Sequence, residues 1–369
     1  MTLSRSVRIG ILQRVLPAYR ANLFDLLADT LDGRVSVFAG EGRRQEMIAA
    51  AIPARAEYHQ AQNRHLFSGR FYACWQGGLL HWLANLDPDV LIMEANPRYL
   101  YSPAAIRWMH ARRKKVVGWG LGAPDSDQGL LGLRRWLRRR FVRQFDAVIT
   151  YSTQGAKEYA TLGFAPQRIY IAPNAAAEKP AHPLPVRPEN FRGGKAIVVF
   201  VGRLQERKRV DMLIKACAAL PSEIQPALWV IGDGPSRAAL ETFAAETYPG
   251  TVFHGAQHGK ELAQRLQAAD LFVLPGTGGL AVQQAMAYGL PVIVGEADGT
   301  QADLVRPENG WLLQEPTSEQ LRDLILEALQ DVNLLRKKGE ESYRIVNEEI
   351  NLNAMAAVFS RAIAEVLNG

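Results

Sequence analysis

The chain has 369 residues, 48% of them hydrophobic and 22% charged, a balance that excludes a disordered chain and a length that exceeds one ordinary core. Its two cysteines, Cys74 and Cys217, lie far apart and outside any Cys/His ligand spacing. This argues against a disulfide framework or a structural zinc site and points to a reducing cytosol. The net charge of +6 favours an anionic partner: nucleic acid, acidic lipid headgroups or a phosphate-bearing ligand.

The first residues carry one basic patch and only a very short apolar run, which is not a signal peptide. No stretch reaches the roughly 18 apolar residues a membrane span needs. A soluble or peripheral protein is expected.

Short β-branched runs alternate with helical patterns. Strands are expected at 7–12, 35–38, 90–93, 116–119, 147–150 and 169–171, with a helix at 20–31 after the first. Residues 176–195 hold four prolines and a glycine pair without apolar period and read as a linker. Beyond it, strands at 196–201, 227–231, 252–253, 271–274 and 291–294 are separated by helices at 208–220, 235–246, 259–268 and 280–288. The class is α/β: two doubly wound, Rossmann-like domains, 1–175 and 196–349, facing a central cleft. A last helix, 350–369, has apolar residues at helical spacing and is expected to cross back onto the first domain.

Three motifs follow strands of the second half, where ligands of open parallel sheets bind. The first strand ends in Gly202-Arg203, and Lys208 follows at a helix start. Arginine offers a planar fork and lysine a mobile point charge, a pair suited to a diphosphate, although a solvated basic turn would read alike. Ile231-Gly232-Asp233-Gly234-Pro235 is a tight turn with proline placed to open a helix. After Pro275, the loop Gly276, Gly278, Gly279 leads into a helix near Leu280, whose free N–H groups make an anion site.

Together these motifs, with Phe253…Gly255, residues 269–275 and the Gln284–Val292 segment, resemble the donor-binding domain of family 4 glycosyltransferases. That family is retaining and has the GT-B fold. The resemblance covers roughly residues 195–335; the N-terminal half is similar only in rhythm and in Pro173-Asn174. It implies that Arg203 and Lys208 bind the diphosphate of a nucleoside-diphosphate sugar, helped by the amides of Gly279, Leu280 and Ala281. Gly202, Gly232, Phe253 and Gly255 are expected around the nucleotide, with the segment 253–255 on the base. No metal or cofactor is expected beyond the donor substrate. The family's two glutamates, eight positions apart, correspond to Gly276 and Gln284. Gln284 can still accept from a ribose hydroxyl, whereas Gly276 has no side chain to read the sugar.

In the first half, Gln13, Arg14, Glu94, Asn96, Arg98 and Trp119–Gly122 follow strands. Glu94 is the acidic candidate for acceptor contact and is counted as catalytic with Arg203 and Lys208. Many relatives carry a histidine near Trp119; His110 reads instead as a surface residue. Asp125-Ser-Asp127 spells a metal-binding DxD but reads as a turn in a GT-B chain, and Asp87-Pro-Asp89 precedes a strand, on the wrong side of the sheet.

Residues 130–143 form a basic amphipathic pattern. Leu130, Leu133, Leu137 and Phe141 make one stripe among six arginines and Trp136. It suits either an anionic membrane surface, with a glycan or lipid-linked sugar acceptor, or a core-facing helix with solvated arginines. No nucleic-acid-binding pattern accompanies the arginines. The expected activity is sugar transfer to a hydroxyl, in surface polysaccharide or glycan biosynthesis, by a cytoplasmic protein, peripheral at the inner face of the plasma membrane if the stripe meets lipid. A catalytically silent nucleotide-sugar or glycan-binding partner is the alternative. A nucleotide-sugar epimerase ranks below both, because the glycine loop supplies no acid or histidine.

Overall fold

A computed structural model of the chain describes residues 7–31, 33–43, 46, 48, 50–122, 131–295 and 299–369, apart from the side chains of Arg70, Leu131, Leu133 and Arg134. Asp125, Asp127 and Leu130 lie outside the described residues. The chain divides into two compact units, Met1–Ala176 with Leu352–Gly369, and Ala177–Asn351.

The first unit runs β1 (Val7–Val15), α1 (Ala18–Thr30), β2 (Gly33–Gly40), β3 (Glu57–Leu66), β4 (Ala73–Gly77), α2 (Leu79–Leu86), β5 (Val90–Glu94), α3 (Ser102–His110), β6 (Lys115–Gly120), α4 (Leu131–Val142), β7 (Ala147–Thr150), α5 (Thr153–Thr161) and β8 (Ile169–Ile171). Its eight strands lie in the order β4-β3-β2-β1-β5-β6-β7-β8. All neighbours are parallel except β3 and β4. That antiparallel edge is absent from the sequence reading, because Glu57–Leu66 is polar on both faces and shows no alternation.

The central strands are buried on both faces. Ile9 and Ile11 join the core under α1, and Leu12 joins the opposite core with Leu83, Ile106 and Phe145. A final helix, α13 (Leu352–Asn368), supplies Met355, Phe359 and Ile363 to the α1 side of this unit.

The second unit runs β9 (Ile197–Val201), α6 (Val210–Ala218), β10 (Ala227–Ile231), α7 (Arg237–Thr247), β11 (Thr251–Gly255), α8 (Gly259–Ala268), β12 (Leu271–Leu274), α9 (Leu280–Ala287), β13 (Val292–Gly295), α10 (Gln301–Leu304), β14 (Gly310–Leu313), α11 (Ser318–Gln330) and α12 (Val332–Glu348). Its parallel sheet has the order β11-β10-β9-β12-β13-β14. Strand order reverses at β1/β5 in the first unit and at β9/β12 in the second, the two places where a doubly wound sheet opens a crevice for ligands.

Residues 177–195 are not a free linker; they belong to the second unit. Arg187 donates to Leu266 O at 3.0 Å, Ala269 O at 3.1 Å and Tyr288 O at 2.8 Å, so one guanidinium closes the carbonyl ends of α8 and α9. Burial pulls its pKa down to about 10. His182 stacks on Tyr288 with ring centres 4.5 Å apart. Prolines keep the segment out of helix and sheet, but its side chains still cap the helices it crosses.

Val332–Asn368 is long and apolar enough to span a membrane by composition. It is split into α12 and α13, however, and the apolar side chains of α13 are spent on the core of the first unit.

Candidate functional site

In the second unit three strand ends interlock through their backbones. Gly202 N donates to Ile231 O at 3.0 Å, Gly232 N to Gly255 O at 2.7 Å, and Leu204 N to Asp233 O at 2.9 Å. Gly232 has φ 146°, and a Cβ there would run into the Gly202 carbonyl. Glycine at 232 is therefore demanded by backbone packing, not by close approach of a ligand. At the β11 end, Val230 pairs with Phe253 and Ile231 with Gly255, so His254 is bulged out of register. Phe253 is half-buried on the core, and His254 packs edge-on against Trp229 at 5.3 Å.

The β9/β12 switch carries the cations. Arg203 is exposed just past β9. Lys208 Nζ donates to Thr277 O at 2.5 Å, and burial, with Arg207 beside it, pulls its pKa down to about 8. Gly276 is buried directly against the backbone of Arg207 and Lys208, where a Cβ would collide. By contrast, a Cβ at Gly279 would meet nothing within 4 Å, so the loop is packed at one end and open at the other.

Val282 and Gln283 both donate to Gly279 O, which leaves the N–H groups of Leu280 and Ala281 ahead of any carbonyl of α9 they could bond. Gln284 lies on the exposed face of α9. Lys208, Gly276, Gly279, Leu280 and Ala281 thus share one switch point, with Arg203 at its margin. Gly202 lies at the end of β9 itself, and Gly232, Phe253 and Gly255 at the adjoining β10 and β11 ends.

In the first unit the β1/β5 switch carries an acid. Glu94 Oε2 accepts from Arg14 N at 2.5 Å, across the two strands where the order reverses. Burial pushes the Glu94 carboxyl up to about 7, against the opposing pull of that N–H and of the Arg14 and Arg20 charges.

Around it Arg14 Nη1 donates to Glu46 at 2.9 Å and to Tyr72 OH at 3.3 Å. Asn63 Nδ2 donates to Arg14 O at 2.7 Å, and Gln76 Nε2 to Gln13 O at 3.0 Å. Arg20, only 4% exposed, lies 4.7 Å from the Trp119 ring and 4.9 Å from that of Tyr151, and donates to Asn174 at 2.8 Å. Trp119 is itself 1% exposed and packs edge-on against Phe359, so it is a core residue rather than an acceptor contact.

Glu46, Tyr72 and Arg20 are absent from the sequence reading. No short motif marks them, since each reaches the switch from a separate strand, loop or helix. His110 is at the surface, 3.6 Å from Asp146, and Asp87 and Asp89 pair with Arg8 and Lys114 at the opposite, amino ends of the strands.

On α4, Phe141 and Val142 are buried in the core, while Trp136 is 55% and Leu137 51% exposed among Arg135, Arg139, Arg140 and Arg143. Among its described residues the apolar stripe is therefore divided: Phe141 serves the core and Leu137 faces solvent.

Both halves match known families. Residues 18–175 match the model of the glycosyl transferase 4-like domain, and residues 186–345 that of glycosyl transferases group 1. The GDP-mannose-dependent alpha-mannosyltransferase of Mycobacterium tuberculosis is 42% identical over 123 residues, 32% of this chain and 30% of that protein. A D-inositol 3-phosphate glycosyltransferase of Jonesia denitrificans is 29% identical over 238 residues, 58% of this chain and 54% of that protein. The chain thus spans about a third to a half of the length of these curated relatives.

Among solved structures, Anabaena HepE in complex with UDP and glucose superposes with a TM-score of 0.66 at 16% identity, covering 97% of this chain and 99% of that one. The lipopolysaccharide outer core galactosyltransferase WaaB superposes at 0.70 with 16% identity and the same coverage. With a glycosyl transferase 4-like domain in its first half and a group 1 domain in its second, on two Rossmann-like sheets, the chain belongs to the glycosyltransferases of GT-B fold.

Proposed function

We propose that the chain transfers a sugar from a nucleoside-diphosphate sugar to a hydroxyl acceptor, with retention of configuration, in surface polysaccharide or glycan biosynthesis. The observation that carries this reading is the β9/β12 switch point, where the Lys208 ammonium sits on the Thr277–Gly278 loop that leads into the N-terminal amides of α9, with open space at Gly279. Cations and oriented N–H groups at that place bind a diphosphate and stabilise the charge it gains as a leaving group.

Arg203 and Lys208 take the diphosphate, Gln284 the ribose, and the 253–255 segment the base. With two cations in place, donor binding needs no metal. The reaction breaks the bond between the anomeric carbon and the diphosphate and forms one to the acceptor oxygen on the same face, the hydroxyl proton passing to an oxygen of the departing diphosphate. Glu94, in the first unit, holds the acceptor. Guanine is the base to test first, because three relatives at 41–42% identity are GDP-mannose-dependent.

Binding of GDP, UDP, ADP and dTDP, measured by calorimetry with and without EDTA, tests the donor site. One nucleotide binding equally in both conditions is the expected result, and no binding by any of the four removes the placement. A catalytically silent binding partner is the second reading, favoured by the lack of a side chain at Gly276. Nucleotide binding without donor hydrolysis or transfer would select it.

The protein is assigned to the cytoplasm, at the inner face of the plasma membrane. Trp136 and Leu137, exposed within an arginine-rich helix face, suit an anionic bilayer, which supports a lipid-linked acceptor in this reading. Co-sedimentation with phosphatidylglycerol vesicles, lost in a Trp136→Ala/Leu137→Ala double variant and absent with phosphatidylcholine alone, is the expected outcome. Equal sedimentation of variant and wild type would remove this surface.

A further inference from the structure

The loop after β12 does not stand alone; it is fastened to the turn that precedes α6 by three bonds. Thr277 N donates to Arg207 O at 3.0 Å, Arg207 Nη1 donates to Thr277 Oγ1 at 2.8 Å, and Lys208 Nζ donates to Thr277 O. The contact is tight on either side of Thr277. Gly276 leaves no room for a Cβ against the Arg207–Lys208 backbone, and a Cβ at Gly278 would strike the Lys208 ammonium. Arg207 is further steadied by Gln205 Oε1 at 3.1 Å.

We propose that Arg207 and Thr277 are positioning residues of the nucleotide site, a latch that holds the glycine loop and the Lys208 ammonium in the geometry that receives a diphosphate. This rests on the donor-site reading above. The loop's shape is set by bonds within the protein, because a side chain at 276 that could fix it from the sugar side has nowhere to go.

Two features separate a latch from ordinary loop packing. Its side-chain bond is at the surface, where both residues are exposed, so it contributes little to global stability. It also joins the two segments that bracket the β9/β12 switch, so releasing it displaces Lys208 relative to the α9 amides, where small misplacements matter most.

The hydroxyl can be removed with almost no change of volume. Thr277→Val keeps both backbone bonds and the branched side chain but leaves Arg207 without its acceptor. Thr277→Ser keeps the hydroxyl. The probe is the nucleoside diphosphate bound best by the wild type, titrated calorimetrically, with a thermal melt of each variant.

Thr277→Val is expected to weaken binding about three- to fivefold, the most that losing one exposed hydrogen bond to a charged group can shift the binding-competent population. Thr277→Ser is expected to bind within about twofold of wild type, and all three proteins to melt within about 2 °C of one another, as for surface substitutions. Wild-type affinity in Thr277→Val overturns the latch while leaving the donor site standing. Equal weakening in Thr277→Ser also overturns it, because the hydroxyl is then not what matters. Failure of the wild type to bind any of the four nucleotides overturns the donor-site reading, and the latch with it.

Discussion

The two switch points are built in different ways. At β9/β12 and the strands beside it, backbone meets backbone: Gly202, Gly232 and Gly255 interlock, Gly276 lies on the Arg207–Lys208 chain, and the Lys208 ammonium is tethered to a carbonyl. At β1/β5, side chains make the junction: Glu94 and Asn63 bond the Arg14 backbone, and the Arg14 guanidinium meets Glu46 and Tyr72, all from separate strands and loops. A backbone cradle presents fixed N–H dipoles suited to a ligand common to many enzymes, a diphosphate. A side-chain network can be changed one residue at a time, which suits a partner that differs from one enzyme to the next.

The charges differ correspondingly. Burial lowers the Lys208 pKa toward 8 and raises that of Glu94 toward 7, so each switch holds one group poised near neutrality.

The largest effect is expected at the side-chain switch. If Glu94 takes or orients the acceptor proton, Glu94→Gln lowers kcat of sugar transfer by about 10² to 10⁴ while nucleotide affinity stays within about twofold. A loss confined to nucleotide binding would place Glu94 on the donor instead and collapse the comparison.

Next come the cations. Lys208→Ala and Arg203→Ala should each weaken nucleoside diphosphate binding by about 1.5–3 kcal/mol, roughly 10- to 150-fold, the range for hydrogen bonds to charged groups. Arg203 is exposed, so the smaller value is expected for it. Unchanged titrations in both variants would move the donor site elsewhere. Gly276→Ala, by pushing the loop off the Arg207–Lys208 backbone, should cost about tenfold in the same assay; unaltered binding would show that the packed end of the loop is irrelevant to the ligand.

The pH dependence is smaller and has a definite sign. If Lys208 holds the diphosphate it does so as the ammonium, and with its pKa near 8 in the free protein, affinity should fall by up to about tenfold per pH unit above 8. Lys208→Arg, charged throughout, should flatten the profile.

The smallest effect is on stability. A folded carboxyl pKa near 7, above the unfolded value of 4.5, means that the native state holds a proton the unfolded state has released. That stabilisation is complete below pH 4.5 and is lost as pH rises toward 7. Removing the charge in Glu94→Gln should therefore raise Tm at pH 8 by about 2–4 °C for a stabilisation near 1 kcal/mol, and not at pH 4. A higher Tm with a lower kcat would mark Glu94 as strained for function.

Strand-helix rhythm and the three glycine-bearing strand-end motifs were legible because they are local. Gly202-Arg203, Gly232–Pro235 and the Gly276–Gly279 loop each lie within a few residues of a strand end. Glycine at 232, however, is required by the neighbouring Gly202 carbonyl, a contact between residues 30 positions apart that no local pattern records. The antiparallel β3–β4 edge escaped because Glu57–Leu66 buries only Ala61 and leaves no hydrophobic period to read. The proline-rich segment 177–195 read as a linker by composition, and only the placement of Arg187 at two helix ends ties it to the second unit.

By itself, then, the amino-acid order determined the two doubly wound halves, the ends of most central strands, and the position of the cations and the glycine loop along the chain. Periodicity, turn chemistry and backbone freedom act over a few residues, and that is how sequence records them. Tertiary structure alone decided which distant groups share an environment. Arg14 meets Glu94 across 80 residues, and Arg207 meets Thr277 across 70. Burial moves the pKa values of Glu94 and Lys208, and Leu137 of the α4 stripe is left to solvent. Desolvation and hydrogen bonding depend on what surrounds a group in space, and strand order, not chain order, sets those surroundings.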